Sequence, residues 1–184
     1  MAAIDRQQAW ELLCRHTQTE SLRKHALAVE AAMRHYAAYN GEDIDYWGAI
    51  GLLHDFDYES QPNQHPFAGK EILEKEGYDP VFIKAVMSHV PITNITRETR
   101  LEKTLYAVDE LCGFLIAVAL VRPSKKIADV EPKSVIKKMK DKAFARQVSR
   151  DDIIKGAEEL GLTLEQHIAN VLDSLKKIAL DLGL

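Results

Sequence analysis

Gly51-Leu52-Leu53-His54-Asp55-Phe56-Asp57 joins the end of an apolar run to an imidazole and a carboxylate on adjacent residues. Trp47, Ile50, Leu53 and His54 recur at three and four residues, the spacing of one helix face, and Asp43 or Asp45 stands where an N-cap belongs. The pair therefore sits near the C-terminal end of a helix. Neutral imidazole suits Zn, Fe, Ni or Mn, and a carboxylate can hold one ion or bridge two. Alone, the dipeptide is more often a His and an Asp at a helix end with no further role. The surrounding chain decides between these.

Working outward, the same three-and-four periodicity recurs along the chain, and β-branched alternation is hard to find, so the class is all-α. Asp5 caps a first helix to about His16, and Thr19 or Ser21 starts a second that reaches Tyr39 and stops at Asn40-Gly41. Leu22, His25, Val29, Ala32, Met33 and Tyr36 share a face of that helix, so His25 points inward and His35 does not. After a polar link from Glu59 to Gln64, His65-Pro66 opens a helix that ends at Gly77, with Pro66 as its first residue. Asp79-Pro80 opens the next, which carries Phe82, Ile83, Val86 and His89 and closes at Pro91. Thr96 or Thr99 caps a long helix to Val121 with the stripe Leu101, Leu105, Asp109, Cys112 and Ile116. Short helices around Val135 to Met139 and Asp151 to Leu160 precede a last one from about Thr163 to Leu182.

The 184 residues are enough for one domain with a sizeable core: a helical bundle over about 19–121, extended by C-terminal helices over about 122–184. Hydrophobic content of 46% and charged content of 28% are those of an ordinary soluble chain. Met1 to Trp10 holds no apolar signal core, and the most apolar run, Leu105 to Val121, contains Asp109 and Glu110, which lipid would penalise. No membrane partner is expected. Two cysteines, Cys14 and Cys112, make no disulfide framework, so the expected location is a reducing cytoplasm. A net charge of −4 argues against nucleic acid as a partner, although Arg122 to Arg150 holds ten Lys and Arg against three acids. The sequence selects no oligomeric state.

His25, His54, His89 and Asp109 stand out as polar groups on apolar faces. Each alone is more often a satisfied core residue than a ligand. Together they differ, because a buried carboxylate without a cation costs several kcal/mol or takes up a proton. No Lys or Arg shares the face of Asp109 within two turns. A metal held by His25, His54, Asp55 and Asp109 would satisfy all four.

The pattern His25, His54-Asp55, Asp109 on successive helices resembles the HD-domain superfamily of metal-dependent hydrolases. His65-Pro66-Phe67-Ala68-Gly69-Lys70-Glu71-Ile72-Leu73 looks like the segment that follows the pair in the HDIG-type branch, and Ser88-His89 like that branch's next histidine. The resemblance implies a second ion at His65 and His89 with Asp55 bridging. Over most of its length, including Asp109-Glu110-Leu111 and Val121-Arg122-Pro123-Ser124-Lys125-Lys126, the chain is similar to small predicted HD hydrolases of unassigned substrate. It departs from the branch in having Phe56-Asp57 where Ile-Gly gives the motif its name, and a link of nine residues from Asp55 to His65. Tyr58 stands where some one-metal nucleotidases of the superfamily keep a catalytic Glu. Asp57 and Glu59 are the acids nearest that place and join Asp55 as candidate catalytic residues.

The resemblance implies a phosphohydrolase that uses one or two divalent ions (Mn, Fe, Ni, Zn or Mg) on a small phosphoester or nucleotide-like substrate. Two such ions clamp the attacking and leaving oxygens of a phosphoester. Arg122, Lys125 and Lys126 would meet the substrate phosphate if the fold brings them to the metal. Two alternatives share these residues: a di-iron oxygenase of the same superfamily, and a non-catalytic module stabilised by metal. The second fits the donors less well, since closed structural sites favour Cys and His over carboxylates.

Overall fold

Residues 5–184 are described here from a computed structural model. The first half comprises α1 (Arg6–His16), α2 (Glu20–Asn40), α3 (Ile44–Leu53), α4 (Phe67–Lys75), α5 (Pro80–Ser88) and α6 (Arg100–Leu120). The second comprises α7 (Pro132–Met139), α8 (Arg150–Glu159), α9 (Leu164–Lys177) and α10 (Ala179–Leu182). No strand occurs among the described residues, as the periodicity predicts.

Local chemistry sets the helix ends. Asp5, Asp43 and Asp79 each accept a backbone N–H in the first turn of α1, α3 and α5, and Thr99 and Glu102 form a reciprocal capping box on α6. Gly41 ends α2 at φ +71°, a left-handed conformation that costs glycine no Cβ clash. Pro66 caps α4 rather than beginning it, a difference of one residue.

The two 21-residue helices, α2 and α6, form the frame. α3 lies along α2, and Gly51 makes this possible: a Cβ there would stand 2.8 Å from Met33 Cγ and 2.9 Å from the Val29 carbonyl oxygen. The close approach brings the end of α3, with His54, against the face of α2 that carries His25. The ring centroids are 5.2 Å apart. Leu53 and Phe56, on either side of the His-Asp pair, are fully buried. Each contributes roughly 1.5–3 kcal/mol of burial and anchors the turn between them.

The C-terminal helices pack onto the same frame. Ile127, Val135, Ile153, Ile168 and Leu175 belong to one buried apolar cluster with Val29, Met33, Leu105 and Leu111. α8 reaches α6 closely because Gly156 faces Ala107, whose Cα would lie 2.6 Å from a Cβ at that position. The sequence predicts one last helix from about Thr163 to Leu182, but it breaks at Ile178 (φ −114°, ψ 21°). The bend turns α10 toward α2 and buries Leu182, whereas Leu180 faces solvent.

Candidate metal centre

Four helices deliver the polar groups to one place. His25 comes from the second turn of α2, His54 from the C-cap of α3, His89 from the C-cap of α5 and Asp109 from the middle of α6. Asp55 follows the α3 cap, and His65 comes from the turns before α4. Two ligand groups result, each with donor atoms within 4.8 Å of one another: His25, His54, Asp55 and Asp109 in the first, Asp55, His65 and His89 in the second.

Asp55 belongs to both and divides its oxygens between them. Oδ2 lies 3.5 Å from His54 Nε2, whereas Oδ1 lies 3.2 Å from His65 Nε2 and 3.1 Å from His89 Nε2. In the first group Asp109 Oδ1 lies 3.0 Å from His25 Nε2 and 3.4 Å from His54 Nε2.

Three imidazoles are pinned through the nitrogen that does not face the cluster. His54 Nδ1 donates to the Gly51 carbonyl at 2.7 Å, His89 Nδ1 to the Val86 carbonyl, and His65 Nδ1 to Asp57 Oδ1 at 2.8 Å. Such bonds fix the tautomer and aim the Nε2 lone pair, as around ligating histidines generally. The fit to a cation is clearest at His54, whose Nε2 is fully buried and lacks a hydrogen-bond partner. With Nδ1 carrying the proton, that lone pair faces carboxylate oxygens, an arrangement that repels unless a cation stands between. The residues present therefore fit a metal ion.

Without metal, a proton plays the cation's part. Burial alone would lower the pKa of His54, but Asp55 and Asp109 override it and raise it to about 9. Burial likewise opposes the charge on His65, and Asp55 and Asp57 bring it to about 9. Asp55 and Asp109 shift the other way: burial would raise them, yet the imidazoles hold both below the usual carboxylate range. Asp109 is not fully buried as its stripe predicts. Its side chain keeps 20% of its accessible surface and that of Asp55 31%, because both face a pocket of about 240 Å³.

Asp57 is fully engaged. Its Oδ1 accepts from His65 and its Oδ2 from the Gly69 N–H at 2.8 Å, so it orients the His65 ring and does not line the pocket. Gly69 leaves it room, since a Cβ there would stand 2.8 Å from Asp57 Cγ. Glu59 is not brought to the cluster. Its carboxylate accepts from Gln18 N, Thr19 N and Thr19 Oγ1 at the start of α2, where the unpaired amides attract it.

The basic run also lies elsewhere. Arg122 follows the end of α6, more than three turns past Asp109 and roughly 20 Å along the axis at about 1.5 Å per residue. It donates to Ser134 Oγ, and neither it nor Lys125 or Lys126 lines the pocket. The length of α6 beyond Asp109 sets Arg122 apart from the ligand cluster, and none of the three is brought to this pocket wall.

The pocket wall holds residues that sequence reasoning left aside, among them Tyr58, Tyr106, Glu110 and Asp152. Burial and the neighbouring Asp109 push the Glu110 carboxyl up to about 7. Asp152 is the third residue of α8, where acids commonly serve the helix end, so its sequence position signalled a cap only. No helix is long and apolar enough to cross a membrane among the described residues, and both cysteines are free thiols.

Comparison with curated proteins and with solved structures gave no match. A family model described as HD domain matches residues 22–113, half of the chain, from just before His25 to just after Asp109. All six candidate ligand positions fall within it, and α7 to α10 fall outside. With a His-Asp pair at a helix end and ligands from the flanking helices in order, the chain belongs to the HD-domain family, whose members are mostly metal-dependent hydrolases.

Proposed function

We propose that the protein is a phosphohydrolase that acts on a small phosphoester with two divalent ions. The observation that carries this reading is the division of Asp55, one oxygen toward His54 and the other toward His65 and His89. A carboxylate so placed can bridge two ions, with His25, His54 and Asp109 completing one site and His65 and His89 the other. Bound there, divalent ions would neutralise a phosphoryl group and lower the pKa of water at neutral pH.

The chain's own residues do the rest. Asp57 keeps Nε2 of His65 directed at Asp55, and the Gly51 and Val86 carbonyls do the same for His54 and His89. The carboxylates open toward the pocket whereas His54 is sealed from solvent, so the pocket gives substrate and water a path to the acidic side of the cluster. At about 240 Å³ the pocket is smaller than the roughly 300–1,000 Å³ that drug-sized ligands occupy, which favours a compact phosphoester.

The test is metal analysis of protein purified with and without air, beside a panel of small phosphomonoesters, diesters and nucleotides assayed with Mn, Fe, Ni, Zn and Mg. Release of phosphate or alcohol that depends on added metal and is lost in Asp55→Ala supports the reading. Oxygen uptake by the iron-loaded protein, with no phosphoester turned over, replaces it with the di-iron oxygenase.

A further inference from the structure

The wall beside the metal ligands carries two carboxylates and no Lys or Arg. Asp152 Oδ1 accepts from the Tyr106 hydroxyl at 2.6 Å, and Glu110 Oε2 accepts from the Ser149 N–H at 3.1 Å. The other oxygen of each has no hydrogen-bond partner among the described residues, and both residues line the pocket. The guanidinium of Arg97 stacks 3.6 Å over the Tyr106 ring and is held by Glu159 at 2.7 and 3.0 Å, so it is committed to Glu159 and does not line the pocket. Tyr106 is 5% exposed, which fixes the hydroxyl that grips Asp152. The fully buried, unpartnered His54 Nε2 lies 3.5 Å from Asp55 and 3.4 Å from Asp109, which line the same pocket, and marks the end where the phosphoryl group would sit.

We infer that Asp152, with Glu110 beside it, determines specificity: it accepts hydrogen bonds from an ammonium or hydroxyl group on the part of the substrate that leaves the phosphoryl group. The substrate class is then a small amino-alcohol or polyol phosphate. A second anionic group is disfavoured, because no Lys or Arg lines the pocket to receive it and the Asp152 carboxylate would repel it. This rests on the phosphohydrolase reading for the seat of the phosphoryl group. It adds that a residue outside the family-matched segment sets what is bound.

The experiment uses the full chain loaded with Mn and three phosphonates that resist hydrolysis: 2-aminoethyl-, 2-hydroxyethyl- and 2-carboxyethylphosphonate. Titration calorimetry is expected to show the first two binding at least about tenfold more tightly than the third, the scale of one charge-assisted hydrogen bond. Asp152→Lys should abolish or reverse that order, and Asp152→Asn should reduce the preference for ammonium while keeping that for hydroxyl. Tyr106→Phe, which frees Asp152 without removing its charge, should weaken the preference less. A purely structural role would lower the melting temperature but leave the order of the ligands intact. Equal or tighter binding of the carboxylate, an unchanged order in both Asp152 variants, or no binding of any phosphonate overturns the inference. Phosphoester turnover without the order sinks it alone, and the order without turnover sinks the phosphohydrolase reading alone.

Discussion

The two ligand groups that meet at Asp55 are built differently. His25, His54 and Asp109 stand on α2, α3 and α6, which pack through Gly51 and a continuous apolar cluster. On the other side, His65 lies in the turns before α4 and takes its orientation from one carboxylate, Asp57. His89, at the end of α5, is the firmer of that pair. The first group is therefore organised by the core of the bundle and the second by a local hydrogen bond. An ion should bind more tightly to the first, because less ordering is left to be done there.

Asp55→Ala tests both groups at once and carries the largest expected effect. Removal of the shared carboxylate should abolish the second ion, reduce the first to a weak site and eliminate activity, as read by metal content after dialysis. Full occupancy in this variant would show that the groups do not share Asp55.

Asp109 isolates the first group. Asp109→Asn should lower metal affinity, and Asp109→Leu should leave a folded, inactive protein whose melting temperature no longer rises with metal. Asp109 fills part of an apolar stripe, where a leucine packs but cannot ligate. A metal-dependent rise that persists in the leucine variant would remove Asp109 from the ligand set.

Asp57→Asn and Gly69→Ala act on the second group only. The first alters the acceptor that fixes the His65 tautomer, and the second forces a Cβ onto the Asp57 carboxylate. Loss of such a supporting partner typically costs about 10- to 100-fold in metal affinity. The expected result is one ion in place of two, counted by metal analysis or anomalous scattering. Equal loss of both ions would mean that the two groups form one rigid unit.

The smallest effect is in pH. In the metal-free protein His54 and His65 titrate near 9, above the unfolded value of about 6.5. Their protonation contributes stability that is complete below about pH 6.5 and is lost as pH rises through 9. Metal needs the neutral imidazoles, so its affinity should rise over the same interval, with about two protons released on binding at pH 7.5. Calorimetry in buffers of different ionisation enthalpy counts them. Binding without proton release would mean that the imidazoles are already neutral.

Much of this was legible in the sequence because its signals are local. Asp5 and Asp79 read as caps and are caps, Asp43 and Thr99 are each one of the two candidates read for their helix, and the polar interruptions at His25, His54, His89 and Asp109 converge. The exposure of Asp109 was not legible, since periodicity tells which side of a helix faces inward but not whether a pocket opens there. The place of Lys125 and Lys126 depends on the length of α6 beyond the ligand, and Glu59 on the amides its loop happens to meet. Asp152 escaped notice for a related reason: its role depends on how closely α8 approaches α6, which Gly156 decides.

The bond between His25 and Asp109 spans 84 residues of chain. The loop between them closes only when α2 and α6 have docked, so no partly folded species that lacks this docking can present the full first group of ligands. If that docking is completed only after the rate-limiting step, an ion that prefers the complete set stabilises the native state without assisting the ascent toward it. Metal would lengthen the lifetime of the folded protein through slower unfolding and leave its refolding rate nearly unchanged, making the centre a lock on the finished structure and not a nucleus for it.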